Sequence, residues 1–197
     1  AAIPTEDQIS AMLPLIGWNK VEWNTESIYL PLPGMQLDFG GIVKEYAVDT
    51  AANICLMHNI HSGVIELGGD VRVIGQLPNG NGWPIAIRDP RRAGKMVAQL
   101  TLKNGALASR GDYERFVDIA GKRYSHLLNP KTGWPVSGLR ASSVVAEHCI
   151  VAGSLATISM LKAQHGLEWL RQLNVHFLCS LDDGTIVNEL YEEHSHE

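Results

Sequence analysis

The chain has 197 residues, of which 45% are hydrophobic and 19% are charged, and its formal net charge is −5 at pH 7. A chain of this length and composition can build one sizeable hydrophobic core. Its 16 lysines and arginines are scattered, which argues against a nucleic-acid-binding protein. No apolar run reaches the roughly 18 residues of a membrane-spanning helix, and no signal peptide is visible. The three cysteines are too far apart for a disulfide framework or a zinc site, so we expect them to be small buried residues.

Strand patterns come mostly in hairpin pairs, with helices inserted in two places, and predict an α+β fold. Thr5, with Gln8 three residues later, forms a capping box that predicts a helix over residues 4–16. Further helices are expected over residues 42–58, 150–163 and 166–173. Strands are expected over residues 21–24, 27–32, 35–39, 63–67, 71–75, 83–88, 96–102, 107–109, 115–119, 123–127, 142–146, 175–181 and 185–188. Short turns join most of these strands, which favours antiparallel hairpins over a doubly wound sheet.

Two glycines separate a short apolar run from the second predicted helix. Gly40 and Gly41 allow the backbone to approach a ligand, and the free N–H groups of a helix start attract anions. Lys44 adds a positive charge in the first turn. The motif therefore favours a cradle for a phosphate or pyrophosphate, and a tight strand-to-helix turn with a solvated lysine is the alternative.

A second glycine pair, Gly68 and Gly69, interrupts a strand pattern just before Asp70, where a bulge or a close backbone approach is expected. Asp70 is suited to accept a hydrogen bond from a ligand hydroxyl. An ordinary bulge beside a surface aspartate fits the same pattern.

Two more polar stretches are candidates for chemistry. Residues 109–115 combine a hydroxyl, a glycine, carboxylates and guanidinium groups, which favours a cleft edge over a solvated turn. His126 stands at the end of a predicted strand beside a Pro- and Gly-rich loop, where an imidazole can carry a proton, although a structural histidine is the alternative.

Gly153 and Thr157 lie one helical turn apart and face the same side of the predicted helix, and close packing by small residues explains that spacing.

Taken together, five stretches in this order resemble the flavin transferases of the ApbE family. They are DFGGIVKEYAVD at residues 38–49, GGD at 68–70, GDYER at 111–115, HLLNPKTG at 126–133 and LAT at 155–157. The resemblance implies an α+β fold of the T-fold type, with antiparallel sheets, helices and two related subdomains. It implies a single domain over residues 1–190, followed by a polar tail at 191–197.

The resemblance also implies an activity. Members of the family bind FAD, split its pyrophosphate with Mg²⁺ and transfer FMN to a Ser or Thr of an acceptor protein. Many act on the periplasmic side, so an exported location is expected, with membrane attachment only through a lost lipid anchor. The partners implied are FAD and an acceptor protein, and no nucleic acid.

Individual positions acquire roles through the same resemblance. The carbonyl of Val43 and the side chain of Thr157 are expected at the metal, and His126 at the reacting phosphate. The residues expected around the flavin nucleotide are Gly40, Gly41, Lys44, Gly69, Asp70, Asp112 and Thr132.

The chain departs from the family pattern at four positions. Gly153 replaces a usual aspartate, and the loss of that carboxylate is expected to weaken Mg²⁺ binding, which Gly153→Asp should restore if nothing else is altered. Glu45 replaces a glycine and is expected either to take over as ligand or to repel the phosphates. Arg110 replaces a serine and Asn129 an aspartate. The resemblance also leads us to expect strands of the flavin pocket before the equivalent of residue 1, so that either this sequence is a fragment or a partner completes the pocket.

Three functions therefore stay open. The chain is an active FMN transferase with an altered metal site, or a family member that has lost catalysis and binds flavin or protein. The third is that a second polypeptide completes its pocket.

Overall fold

A computed structural model describes residues 3–92, 94–111, 116–119 and 122–190 of the chain. Within these residues the helices are α1 (Glu6–Met12), α2 (Val43–Met57), α3 (Cys149–Leu161) and α4 (Gly166–Gln172). The strands are β1 (Glu22–Trp23), β2 (Ile28–Tyr29), β3 (Gly63–Leu67), β4 (Asp70–Ile74), β5 (Trp83–Arg88), β6 (Met96–Leu102), β7 (Gly105–Gly111), β8 (Phe116–Ile119), β9 (Lys122–Ser125), β10 (Leu139–Ala146), β11 (His176–Leu181) and β12 (Ile186–Glu189). Among these residues, no helix combines the length and the apolar character that a membrane crossing requires.

Six strands form the central sheet in the order β12-β11-β10-β7-β4-β3, and every neighbouring pair in it is antiparallel. The strand pairs β1-β2, β5-β6 and β8-β9 form separate two-stranded ribbons. Short turns join most consecutive strands, and α2 and α3 are inserted between them. The predicted α+β class is therefore confirmed.

The two faces of the sheet are covered differently because successive side chains on a strand point to opposite sides. On one face, Val71, Val73 and Leu107 pack against Ile85 and Leu100 of the β5-β6 ribbon. On the other face, small residues of β7 and apolar residues of β10 and β11 pack against the helices. These residues are Ala106, Ala108, Val144, Phe177 and Cys179 from the strands, with Val48, Ala152, Ala156, Met160 and Leu170 from α2, α3 and α4. The small residues of β7 let α2 and α3 lie close to the sheet, over strands β4 and β7.

The capping box at the start of α1 is present, since the Thr5 hydroxyl accepts the Gln8 N–H and the Gln8 side chain accepts the Thr5 N–H. The strand predicted over residues 35–39 is wrong. This segment is irregular, because no strand among the described residues lies beside it to complete a hydrogen-bonded ladder. The predicted bulge at the second glycine pair is also wrong. Gly68 and Gly69 form the two-residue turn of the β3-β4 hairpin, with φ of 60° and 90°, and positive φ at both positions is why glycine suits this turn.

Candidate functional site

Lys44 connects the two glycine motifs. It lies in the first turn of α2, and its Nζ is 3.1 Å from Oδ2 of Asp70 and 3.5 Å from the carbonyl oxygen of Gly68. The lysine side chain keeps 40% of its surface exposed, whereas Asp70 is fully buried. The start of α2 and the β3-β4 turn therefore meet at one place, which the sequence could not establish because 24 residues separate Lys44 from Gly68.

Asp70 is also held by a guanidinium group from the neighbouring strand. Nη1 of Arg110, on β7, donates to Oδ1 of Asp70 at 2.8 Å and to the carbonyl oxygen of Ser109 at 2.7 Å. Only 12% of the Arg110 side chain is exposed. A buried carboxylate thus has one cation on each of its two oxygens, which is the arrangement that makes a buried charge tolerable.

The same guanidinium reaches both helices that cover this part of the sheet. Its Nη2 forms an ion pair with Oε1 of Glu45, which is 1% exposed in the first turn of α2. Its Nε donates to Oγ1 of Thr157 on α3 at 3.2 Å. Arg110 therefore stands at the centre of a cluster, which we call the arginine cluster, formed by Lys44, Glu45, Asp70, Arg110 and Thr157.

Gly153 closes the arginine cluster from the side of α3. A Cβ atom placed on Gly153 would lie 2.6 Å from Cγ and Oε1 of Glu45 and 3.0 Å from Nη2 of Arg110. Three positions that depart from the family pattern, 45, 110 and 153, are thus in mutual contact. Glu45 and Arg110 fill the space that an aspartate at position 153 would need, so the condition under which Gly153→Asp is expected to restore the site is not met.

The residues present do not fit a divalent metal at this position. Magnesium is bound by hard oxygen donors, chiefly carboxylates. Here the Thr157 hydroxyl, both Asp70 oxygens and Oε1 of Glu45 already face a guanidinium or ammonium nitrogen. In the described parts of the chain, no group of three or more His, Cys, Asp or Glu side chains is arranged to hold a metal ion.

Three of the other predicted residues lie at the start of α2. Gly40 and Gly41 are exposed immediately before α2; the Gly40 N–H donates to Oδ1 of Asp38 at 2.6 Å, and a Cβ on Gly41 would meet no atom within 4 Å. Val43, predicted to offer its carbonyl to a metal, is the first residue of α2.

His126 follows β9 directly and is exposed, so it stands just beyond the strand that was predicted to include it. Thr132 is exposed in the loop after it, where its hydroxyl accepts the Trp134 N–H at 3.3 Å. Neither residue is a partner in the contacts that build the arginine cluster. Asp112 lies outside the described residues.

A cleft opens on the opposite face of the sheet, where the Gly68-Gly69 turn meets the β5-β6 ribbon. Its polar lining includes Glu66, Arg88 and Ser109, and Ser109 shares a 2.8 Å hydroxyl contact with Ser143 of β10. The turn that carries Gly69 therefore borders the arginine cluster on one side and this cleft on the other. Ser109, the first residue of the stretch predicted at a cleft edge, lines this cleft, and residues 112–115 of that stretch lie outside the described residues.

Below the arginine cluster, Asp49 of α2 caps the start of α3. Its two carboxylate oxygens accept the N–H groups of Cys149 and Ile150, each at 2.9 Å. Burial, reinforced by the negative charges of Asp70 and Asp49, raises the pKa of the Cys149 thiol to about 12. Cys149 is therefore a neutral packing residue near neutral pH and offers no nucleophile to the site.

Comparison with known proteins places this geometry in a family. A sequence model of the ApbE family matches residues 1–179. The chain belongs to the ApbE family. The FAD:protein FMN transferase of Haemophilus influenzae is 30% identical over 193 residues, which cover 93% of this chain and 56% of that protein. The corresponding protein of Rhodobacter capsulatus is 33% identical over 159 residues, covering 78% of this chain and 30% of its own length.

Solved structures of ApbE proteins share the fold. The crystal structure of the ApbE protein from Thermotoga maritima has a TM-score of 0.85 at 32% identity and covers 95% of this chain and 62% of that one. The flavin transferase ApbE from Vibrio cholerae has a TM-score of 0.80 at 26% identity, with the same two coverages. The T-fold-like ApbE fold is thereby confirmed. This ApbE-family chain spans about half the length of the Haemophilus relative.

Sequence reasoning missed the partners that hold the site together. It marked Glu45 and Arg110 as separate departures but did not pair them, and it assigned no role to Asp49. The charges at these positions could have indicated the pairing. Relative to the family pattern, a carboxylate is lost at position 153 and gained at position 45, and a cation is gained at position 110. Such compensating changes point to spatial neighbours.

Proposed function

We propose that this chain acts as a FAD:protein FMN transferase, which binds FAD and moves its FMN moiety to a Ser or Thr hydroxyl of an acceptor protein. The names of its relatives support this activity. Because the chain covers only 56% of the Haemophilus protein, the activity is a proposal for this chain. The structural support is the meeting of the α2 start, Lys44 and the Gly68-Gly69 turn at one place.

The observation that carries the proposal is the open start of α2. The helix runs for 15 residues, and no side chain caps its first turn. N–H groups at such a helix end, together with the axial dipole, favour a bound anion. Lys44 adds a half-exposed ammonium group in the same turn, so this end of α2 is suited to the pyrophosphate of FAD.

The transfer requires one bond to form and one to break. The acceptor hydroxyl oxygen bonds to the phosphorus on the FMN side, the bond from that phosphorus to the bridging oxygen breaks, and AMP leaves with the bridging oxygen. The hydroxyl proton needs a base, and His126 is the proposed one, because it is an exposed imidazole beside a rigid loop. Lys44 is proposed to stabilise the charge that develops on the departing phosphate. No step is assigned to Mg²⁺, because the arginine cluster does not fit it.

A second function is favoured by that same misfit. If turnover depends on a metal, a chain with Arg110 at this place would hold FAD without transferring FMN, and would act as a flavin-binding module. The observation behind this alternative is the contact of Arg110 with Thr157 at 3.2 Å, which occupies the hydroxyl expected at a metal.

One experiment separates the two functions. The protein is incubated with FAD and a Ser/Thr-containing acceptor peptide, with either Mg²⁺ or EDTA, and the peptide is examined by mass spectrometry for a covalent FMN adduct. Flavin retained by the protein is measured in parallel by fluorescence after gel filtration. An adduct supports the transferase, and retained FAD without an adduct supports the flavin-binding module. If neither a peptide adduct nor retained FAD is found, both functions are overturned.

Two further expectations stay predictions. An exported or periplasmic location rests on the family resemblance alone. A partner polypeptide that completes the flavin pocket would be detected if FAD binding appears only after that partner is added.

A further inference from the structure

We propose that Arg110 is the resident cation of this site, so that its guanidinium replaces the divalent metal expected for the family and the chain binds flavin nucleotide without a metal. The inference rests on the proposed flavin-binding function for its biological meaning. The claim that the site excludes a metal rests on the arginine cluster alone.

The first argument is the use of donor atoms. Each of the three nitrogens of the Arg110 guanidinium faces a different side chain: Nη1 faces Asp70 at 2.8 Å, Nε faces Thr157 at 3.2 Å, and Nη2 faces Glu45. A planar guanidinium has donors in fixed directions and cannot lose its proton, which suits it to a permanent role between carboxylates. A metal at Thr157 would therefore need Arg110 to leave.

The second argument is the cost of that departure. Arg110 is 12% exposed, while Glu45 and Asp70 are 1% and 0% exposed. Moving the guanidinium away would strip Glu45 of its ion pair and oblige Arg110 to find new partners in the same buried region. A metal that stayed beside Arg110 would meet like charge at short range in a region with little water.

The third argument is the shape of the cluster at α3. The space beside Gly153 is occupied by Glu45 and by Nη2 of Arg110, at 2.6 Å and 3.0 Å from the position of a Cβ atom. A carboxylate on α3 and the Glu45-Arg110 pair thus exclude each other. The residues at positions 45, 110 and 153 therefore act as one unit, and changing only one of them cannot recreate a metal site.

Charge within the arginine cluster is balanced without any bound ion. Lys44 and Arg110 are the two cations, and Glu45 and Asp70 are the two anions. An incoming divalent cation would find each carboxylate of the cluster already paired with a cation and buried, whereas an incoming pyrophosphate would meet the exposed ammonium group of Lys44. The accessible charge therefore favours an anionic ligand over a metal.

The test measures metal binding directly with Mn²⁺, whose electron paramagnetic resonance signal is lost when the ion binds protein. We expect the wild-type protein to leave the signal of free Mn²⁺ unchanged. The triple variant Glu45→Gly, Arg110→Ser and Gly153→Asp should bind about one equivalent of Mn²⁺. Adding Thr157→Val to the triple variant should abolish this binding. The matched control is Arg171→Ser, which removes an exposed arginine paired with Glu189 at 2.7 Å and should leave the signal unchanged.

Two results would overturn the proposal. One is saturable Mn²⁺ binding by the wild-type protein that Thr157→Val removes. The other is a triple variant with a native circular dichroism spectrum that still binds no Mn²⁺. If the triple variant does not fold, Mn²⁺ titrations of the wild-type protein and of the single variant Thr157→Val decide the question.

A second measurement uses FAD and only the wild-type protein. Its FAD affinity should change by less than about twofold between EDTA and Mg²⁺, since no metal mediates the contact. A loss of about tenfold or more in EDTA contradicts the proposal. Absence of any FAD binding would count against the proposed function, while the Mn²⁺ titration would still decide the role of Arg110.

Discussion

Nε of Arg110 lies 3.2 Å from Oγ1 of Thr157, although the two residues are 47 positions apart and belong to β7 and α3. This hydrogen bond ties the sheet to the helix at the position where the family pattern expects a metal-binding threonine. The chain thus keeps the threonine and gives its hydroxyl a different partner. The same guanidinium pairs with Glu45 and Asp70. Arg110 therefore affects both the stability of the fold and the kind of ligand that the site can bind.

Replacing Arg110 with methionine is expected to destabilise the fold strongly. Glu45 would be buried without its ion pair and Asp70 would lose the guanidinium on Oδ1, a loss of about 3–5 kcal/mol in the free energy of unfolding. Urea denaturation measures the change. The double variant Arg110→Met with Glu45→Gln should recover at least about 1 kcal/mol, because it removes the unpaired charge. Arg171→Met on the surface is the matched control and should cost far less; an equal loss in both arginine variants would contradict the structure.

Gly153→Ala is expected to destabilise the protein, against the usual trend. In the middle of a helix this change normally stabilises by about 1 kcal/mol. Here the new Cβ would lie 2.6 Å from a paired, buried Glu45 side chain, and overpacking of this kind costs about 1–3 kcal/mol. Gly153→Asp should be worse, since it adds a third carboxylate. In a Glu45→Gly background the sign of the Gly153→Ala effect should reverse. Thermal unfolding of the wild type, the three single variants and the double variant Glu45→Gly with Gly153→Ala measures these effects.

The regular elements were predictable because their causes are local. The Thr5 capping box, the apolar spacing of α2 and the short turns between strands each depend on a few neighbouring residues, and the structure has these elements within a few residues of the predicted ends. The turn at Gly68-Gly69 was misread as a bulge because a glycine pair between two strand patterns fits both.

The cluster could not be predicted because its contacts are long-range. Glu45 and Arg110 come together only when α2 packs on β7, and no local pattern fixes that packing. The family resemblance described the departures one at a time. Their meaning depends on contact, which only three-dimensional structure supplies.

Asp49 is expected to stabilise α3 from a distance of 100 residues in sequence. Its carboxylate accepts two N–H groups at the start of α3, at 2.9 Å each, and this helix carries Gly153 and Thr157. Asp49→Ala should lower the free energy of unfolding by about 1–2 kcal/mol, the usual value of a helix cap, and Asp49→Asn by less, because it retains one acceptor. Guanidinium denaturation measures this. An Asp49→Ala variant as stable as the wild type would show that water satisfies these N–H groups equally well.

The cysteines are expected to differ in reactivity and to make the fold sensitive to alkali. Burial is the main cause that raises the pKa of Cys149 to about 12 and of Cys179 to about 11, from the ordinary thiol value of 9.0. Near pH 8 a thiol reagent should therefore label Cys55 in the native protein and all three cysteines only after unfolding.

The same pKa values fix the direction of the pH effect on stability. Between pH 9 and 11 the unfolded chain releases the protons of Cys149 and Cys179 while the native protein retains them, so the unfolded state binds fewer protons and the free energy of unfolding falls as pH rises. This contribution is fully present below pH 9. Cys149→Ala should lessen the fall between pH 9 and 11, measured by urea denaturation. An identical slope in wild type and variant would contradict the burial of this thiol.

Lys44 is expected to control the affinity for FAD and its dependence on salt. Its ammonium group is the half-exposed cation at the start of α2, and a hydrogen bond to a charged group contributes about 1.5–3 kcal/mol, so Lys44→Met should weaken FAD binding by about tenfold or more. Lys44→Arg should keep part of the affinity, because it retains the charge while changing the reach. Raising the salt concentration should weaken the wild-type complex more than that of Lys44→Met. Fluorescence titration gives both values, with Lys131→Met, an exposed lysine in the loop after His126, as the control. Equal losses in the two methionine variants would place the pyrophosphate elsewhere.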